Sequence, residues 1–386
     1  QAVRAERDRI AIDTIRFLAV DMVEAALTAY RDIGIRAMVA PMYEDRMYLD
    51  SLPIDQQRLP QDVQERWRGA QRPPPEEYFA LIQHLLPRWR GVQNRLDLML
   101  GVDGPQRCSR RLLELTGEFA ERHGMGLHTH LLEAKTQHLV APPEHKGSFV
   151  RYLDQFGLVN ERSSFAHFVW CTGEDVELAA QRGVNVVHNP VSNLILGSGI
   201  QPAARLLAAG VRVALGTDGQ SGSAVSILEQ AKFASLLSRV ADVDPARWLA
   251  PREAFRLATE GGARAIGLEG QAGIIAPGAR ADIALLAVTG AAWRPRGDLY
   301  HHLVMYENGA NVRTVLVEGE VVVQQGRCTR IDETALLDEA QAISVEQASA
   351  NEPWIAAAER DMQPLRDELL SALQRDGEVN RFADLH

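Results

Sequence analysis

The feature that most narrows the folds open to this chain is a repeating texture between residues 120 and 270: a short β-rich run, a turn, an amphipathic stretch, then a glycine before the next run. The β-rich runs fall at 125–130, 163–167, 184–188 and 211–215, and the stretches with helical periodicity at 147–155, 174–181 and 201–209. Gly183 and Gly210 stand just beyond two of those stretches, where a left-handed residue closes a helix. Upstream, 22–31 reads as a helix stopped by Asp32-Ile33-Gly34, and 36–40 and 96–102 read as strands, with Pro73-Pro74-Pro75 breaking the segment between them. Six strands of parallel type result, and 14–20 offers a weaker seventh.

Strands alternating with helices predict an α/β fold, and its simplest closed form is a (β/α)8 TIM-type barrel, which needs eight strands. One or two N-terminal strands are therefore expected to precede Gln1. An open doubly wound sheet is the other solution, but no Gly-rich phosphate turn follows any early strand. After Pro251 a helix is expected to about 267, and then the texture changes. Segments 273–286 and 312–323 carry the short alternating runs and Gly turns of an antiparallel sheet, and the chain from Glu333 onward is Ala-, Glu- and Leu-rich. The expected organisation is a barrel over 1–270, a small β domain over 271–330, and C-terminal helices over 331–386 packing on the barrel.

Charge and cysteine content exclude several roles. Among 386 residues, 41 are Lys or Arg and 51 are Asp or Glu, a formal net charge of −10 with no dense basic run, so a nucleic-acid partner is not expected. No apolar run is long enough to span a bilayer and no signal-like N-terminus is present, which predicts no membrane partner and a cytoplasmic setting. Cys108, Cys171 and Cys328 are too few and too scattered for a disulfide framework and are expected to be reduced thiols. The apolar C-terminal stretch with Trp354 makes a homo-oligomer an expectation as well.

Three polar residues fall at the C-terminal ends of predicted strands, where barrels of this kind place their chemistry. His130 lies in Gly126-Leu-His-Thr-His-Leu-Leu-Glu133, with His128 on the same strand face and Glu133 three residues beyond. His167 ends Phe165-Ala-His, and Asp218 ends Leu215-Gly-Thr-Asp. Taken singly, each has an ordinary reading: a strand-end His is usually structural, Asp218 suits a helix N-cap, and Glu133 suits a solvated first helical turn. Three such ends in strand order point instead to imidazoles and a carboxylate converging on a divalent cation. His188, in Val187-His-Asn-Pro-Val-Ser-Asn193, reads as a ligand, a substrate contact or a structural donor.

Thr129-His-Leu-Leu-Glu133, Ala166-His167, His188-Asn-Pro-Val-Ser-Asn-Leu-Ile-Leu-Gly197-Ser-Gly and Gly216-Thr-Asp-Gly219, in that order, resemble the signature of the amidohydrolase superfamily. Within it, they are most similar to the chlorohydrolase and aminohydrolase group that contains guanine deaminase and triazine hydrolases. The likeness runs from Ile33 to Arg327 and takes in Gly104-Pro-Gln-Arg-Cys-Ser109 and Ala272-Gly-Ile-Ile-Ala-Pro-Gly-Ala-Arg-Ala-Asp282. It implies that 271–330 is the remnant of a β-sandwich. It also implies that His130, His167 and Asp218 hold one divalent metal ion, zinc with iron or manganese as alternatives. Glu133 would then shuttle a proton, His167 would orient the attacking water, and Asp218 would take that water's proton. Gln106, Arg107, His188 and Asn193 are candidate contacts to a small-molecule substrate.

The same group uses a His-x-His at the end of a first strand, and the only His-x-His here is His128 to His130 on a later one. Two expectations follow. The leading one is a metal-dependent hydrolase acting on a C–N bond, with deamination of a nitrogen heterocycle foremost and loss of chloride, or cleavage of a carbamate or urea, as alternatives. The other is a truncated or non-catalytic amidohydrolase-type barrel that lacks the first-strand histidines.

Overall fold

A computed structural model describes residues 21–67, 72–142, 145, 147–219 and 225–375. The weak strand expected at 14–20 and the last residues of the C-terminal stretch lie outside these.

Six parallel strands form the main sheet, in the order β2 (Met42–Tyr43), β4 (Leu100–Val102), β5 (Leu127–Leu131), β6 (Ser163–His167), β7 (Asn185–His188) and β8 (Arg212–Leu215). A parallel pair, β1 (Ala37–Val39) and β3 (Leu96–Leu98), continues β2 and β4 towards their N-terminal ends. The break between β1 and β2 falls at Pro41, which has no N–H to give the ladder, yet register is kept because the Met99 N–H donates to the Val39 carbonyl at 2.9 Å. Gly101 faces this break: a Cβ there would sit 2.5 Å from the Pro41 carbonyl oxygen, so only glycine lets the two strands approach. β1 is the strand expected at 36–40, β2 lies just beyond it, and β3 and β4 divide the strand expected at 96–102; the other four expected strands follow in sequence order. This is the α/β barrel-type architecture predicted above.

The connecting helices stop and start where the sequence marks them. Arg110–His123 is capped by Ser109, whose hydroxyl accepts from the Leu112 N–H at 3.1 Å, and ends at left-handed Gly124. Gly173–Arg182 opens with a reciprocal Thr172/Asp175 capping box and closes at Gly183, φ 66°. Phe149–Asp154 and Ala203–Ala208 occupy the other expected helices. Along β5, Leu127, Thr129 and Leu131 are buried beneath the helices while His128 and His130 alternate to the barrel interior. Leu100, Leu112, Leu127, Leu131, Phe165 and Phe168 belong to one continuous apolar core between sheet and helices.

Two segments differ from expectation. The stretch after Pro251 is not one uniform helix: Pro251–Arg256 passes through a π-helical turn, Leu257–Gly261, before Gly262–Ala265. A Cβ on Gly261 would lie 2.7 Å from the Val213 carbonyl oxygen, so the turn packs directly on β8. The C-terminal stretch is a single helix, Glu333–Arg375, of 43 residues, with Pro353 and Pro364 inside it. Its distal part is fastened to the barrel by Leu365 against Leu49 and Leu59 and by Arg66 to Asp361, whereas Trp354 is 72% exposed.

Between barrel and helix lies a four-stranded antiparallel sheet, in the order β12 (Arg327–Cys328), β11 (Glu320–Gln324), β10 (Val312–Val317) and β9 (Ile283–Leu286). Arg36, just before β1, anchors it through Asp282 at 2.5 and 3.0 Å and through Glu318. The three cysteines are unpaired thiols, two of them buried. No helix among the described residues is long and apolar enough to cross a membrane.

Candidate active site

The C-terminal ends of β5, β6 and β8 bring His130, His167 and Asp218 together, with one ligand atom from each within 4.8 Å of the others. Among the described residues, no other group of three His, Cys, Asp or Glu side chains is placed to share a metal ion. The two imidazoles lie nearly parallel, ring centroids 5.5 Å apart.

Each imidazole is fixed from behind. His130 Nδ1 is 2.6 Å from the Asp103 carbonyl oxygen, and a carbonyl only accepts, so Nδ1 carries the proton and Nε2 keeps its lone pair. His167 Nδ1 is 2.8 Å from Asn193 Oδ1, which sets the same tautomer. Its Nε2 is buried without a hydrogen-bond partner and lies 3.9 Å from both Glu133 Oε2 and Asp218 Oδ2. A buried imidazole nitrogen aimed at two carboxylates, with its other nitrogen locked as donor, is the arrangement a metal-ligating histidine adopts. The residues present therefore fit a divalent cation.

The carboxylates are set by their surroundings. Burial pushes the Asp218 carboxyl up, but the Ser192 hydroxyl on Oδ2, the Gly219 N–H on Oδ1 and the two imidazoles outweigh it and hold the group below the usual carboxylate range. Glu133 sits in the turn after β5, where its N–H donates to Gln137 Oε1 at 2.9 Å, leaving the carboxylate beside His167 Nε2.

Backbone geometry at the site is unusual. His167 has φ 75° and Asp218 φ 61°, left-handed values that branched side chains seldom adopt, and Leu132 and Phe168 beside them share it. Such residues collect where function requires a side chain the strand would otherwise turn elsewhere. Gly216 permits the approach of β8 to β7: a Cβ there would meet Asn189 Oδ1 at 2.4 Å and Val187 Cγ1 at 2.7 Å.

The other expected site residues are distributed around this centre. His188 is buried at the end of β7, its Nδ1 without a partner, and burial together with the neighbouring His167 pushes its pKa down to about 3. His128, 3.0 Å from Ser164 Oγ, is pushed down to about 4 by burial and then by the neighbouring imidazoles. Arg107 is held by Asp103 at 2.9 Å and by Glu44, and Gln106 beside it has a buried, unpartnered Oε1. Asn193, expected at the mouth, is buried behind His167 instead. A cavity of about 610 Å³ adjoins Asp103 and is lined by Met42, the stacked rings of Tyr43 and Tyr78, Leu81, Glu44 and Arg72. Asp103, Ser192 and Gln201 as supports were not marked by the sequence, because their contacts join distant residues.

Residues 11–322 match the amidohydrolase family, and the chain belongs to it. Among curated relatives, it is 35% identical over 255 residues to a 5′-deoxyadenosine deaminase of Methanosarcina mazei, an alignment covering 66% of this chain and 58% of that protein. It is 38% identical over 256 residues to a 5-methylthioadenosine/S-adenosylhomocysteine deaminase of Desulforudis audaxviator, covering 66% of this chain and 59% of the relative. Among solved structures, a zinc-bound adenosine deaminase from Xanthomonas campestris superimposes with a TM-score of 0.73 at 26% identity, covering 83% of this chain and 68% of that one. The chain thus spans a little under three fifths of the length of the curated relatives it matches.

Proposed function

We propose that this chain is the barrel of a metal-dependent aminohydrolase that deaminates a nitrogen heterocycle of adenine type. The observation that carries the reading is His167 Nε2: buried, unpartnered, and 3.9 Å from both Glu133 and Asp218. His130, His167 and Asp218 would hold one divalent ion, with zinc favoured by the mixed imidazole and carboxylate donors and iron or manganese as the other outcomes. Bound there, such an ion supplies a water acidified towards neutrality. Asp218, ionised well below neutral pH, accepts the proton of the attacking water. Glu133 holds a proton for the ring nitrogen next to the reacting carbon and then passes one to the departing amine, so that water and the amino compound become a carbonyl and ammonia. The cavity lined by Tyr43, Glu44 and Arg72 reaches Asp103, whose carbonyl holds His130, and is the candidate place for a planar base. This reading keeps the barrel to about residue 270, the small β domain at 271–330 and the helical stretch beyond as separate units.

The test is ammonia release from 5′-deoxyadenosine, 5′-methylthioadenosine and S-adenosylhomocysteine, with guanine and chlorotriazines alongside, by the full-length chain carrying one zinc. Turnover of an adenine nucleoside is expected. Turnover of a chlorotriazine alone would transfer the reading to a different leaving group, and metal binding with no turnover of any of these would leave a non-catalytic barrel.

A further inference from the structure

The segment that follows β7 supports two of the three candidate ligands. The Ser192 hydroxyl donates to Asp218, Asn193 accepts from His167 Nδ1, and the Ser198 carbonyl accepts from the Trp170 indole N–H at 2.7 Å. The last contact of this segment is Gln201, 2% exposed, whose side-chain Nε2 donates to the main-chain carbonyl of His167 at 2.5 Å.

That carbonyl needs a partner because of the backbone. The β6–β7 ladder ends at Ala166 with Val187, and at His167 the chain turns left-handed, carrying the next carbonyl out of the sheet. The Phe168 N–H is caught by the Leu131 carbonyl at 2.8 Å, so the turn is pinned on its far side by the neighbouring strand. On its near side, Gln201 supplies the donor. The same amide leaves Oε1 buried and unpartnered. An apolar residue of equal length would remove that orphan oxygen but leave the His167 carbonyl without a donor, so the two are close in cost and what glutamine adds is its hold on the turn.

We propose that Gln201 is a positioning residue: it clamps the left-handed turn at His167 and so keeps Nε2 aimed at Glu133 and Asp218. The proposal rests on the metal-site reading above and extends it to a residue in contact with neither metal nor substrate. Replacing Gln201 by Met exchanges one buried unpartnered oxygen, its own, for another, that of His167. Stability is therefore nearly unchanged while the clamp is lost. Gln201→Glu keeps the size and as a carboxylate has only acceptors to offer the His167 carbonyl, whereas its protonated form regains a donor, so comparing it at high and low pH provides a second route should the methionine variant not fold.

The experiment uses the full-length chain stripped of metal, wild type beside Gln201→Met and Gln201→Glu. Imidazole ¹⁵N spectra are expected to show His167 as a single Nδ1–H tautomer in the wild type and as a broadened or mixed population in the variants. Titration with Co²⁺ is expected to be about 10- to 100-fold weaker in the variants, with an altered visible band and a melting temperature near wild type for Gln201→Met. Unchanged His167 resonances with Co²⁺ affinity within about twofold would overturn the proposal, as would losses that only track a fall in melting temperature. If the wild type binds no Co²⁺, the metal-site reading fails, and the imidazole spectra alone decide whether Gln201 holds His167.

Discussion

Ser192→Ala removes one hydroxyl and tests how Asp218 is kept ionised. Burial raises this carboxyl, and the Ser192 hydroxyl leads the groups that more than reverse it. A hydrogen bond to a charged group contributes about 1.5–3 kcal/mol, so losing the Ser192 donor should raise the folded-state pKa of Asp218. In the wild type, the folded value lies below the unfolded one, so ionised Asp218 adds stability above the unfolded pKa and loses it as pH falls through the folded value. The variant lacks that contribution. It should be less stable by about 1.5–3 kcal/mol at pH 7, with the gap closing as pH falls towards the range in which wild-type Asp218 is protonated, because the variant's carboxyl takes up a proton first. Urea unfolding of metal-free protein in half-unit pH steps reads this directly. A gap of constant size across the range would mean that Ser192 acts through packing alone, and no gap at pH 7 would mean that the hydroxyl contributes nothing to Asp218.

Glu133→Gln should lower turnover by about 10²- to 10⁴-fold while metal content per chain stays at the wild-type level, because Glu133 lies outside the three-residue cluster; parallel metal analysis and ammonia assays check both halves. Gly216→Ala forces a methyl to within 2.4 Å of Asn189 Oδ1 and should destabilise by about 1–3 kcal/mol while shifting the β8 end that carries Asp218, read as a lower urea midpoint together with weaker Co²⁺ binding. His128 and His188, pushed down to about 4 and about 3, stay neutral in the folded chain where the unfolded chain is protonated. Metal-free protein should therefore lose stability below about pH 6.5, approaching 2.7 kcal/mol per pH unit near pH 5 from these two alone, and His188→Asn should roughly halve that slope.

What could be read in the sequence was what depends on neighbours along the chain. Strand runs at 163–167 and 211–215 became β6 and β8 because alternation and flanking glycines are local, and Gly183 and Gly210 take the left-handed values expected of helix stops. His130, His167 and Asp218 were legible as a group because strand ends in a parallel barrel converge. The supports were not. Gln201 is 34 residues from His167, and Asp103 is 27 from His130, so only the fold makes them partners. Asn193 was visible as a polar residue near the mouth, but nothing local said that it would turn inward to His167. The left-handed turn at His167 also carries no decisive sequence signal, since histidine tolerates such values better than most residues but does not require them. The C-terminal stretch was legible as helical from its Ala, Glu and Leu content, but its continuity through Pro353 and Pro364 as one helix, Glu333–Arg375, was not.

Two left-handed ligand residues and a buried imidazole nitrogen without a partner bear on how stability is distributed over this fold. Each such feature costs about 1–3 kcal/mol, and together they are comparable with the net stability of an ordinary domain, about 5–15 kcal/mol. Gathered at the strand ends beside Glu133, they make the mouth the part of this fold where stability is given up, and a glycine at His167 or Asp218 would ease the backbone there only by removing a candidate ligand.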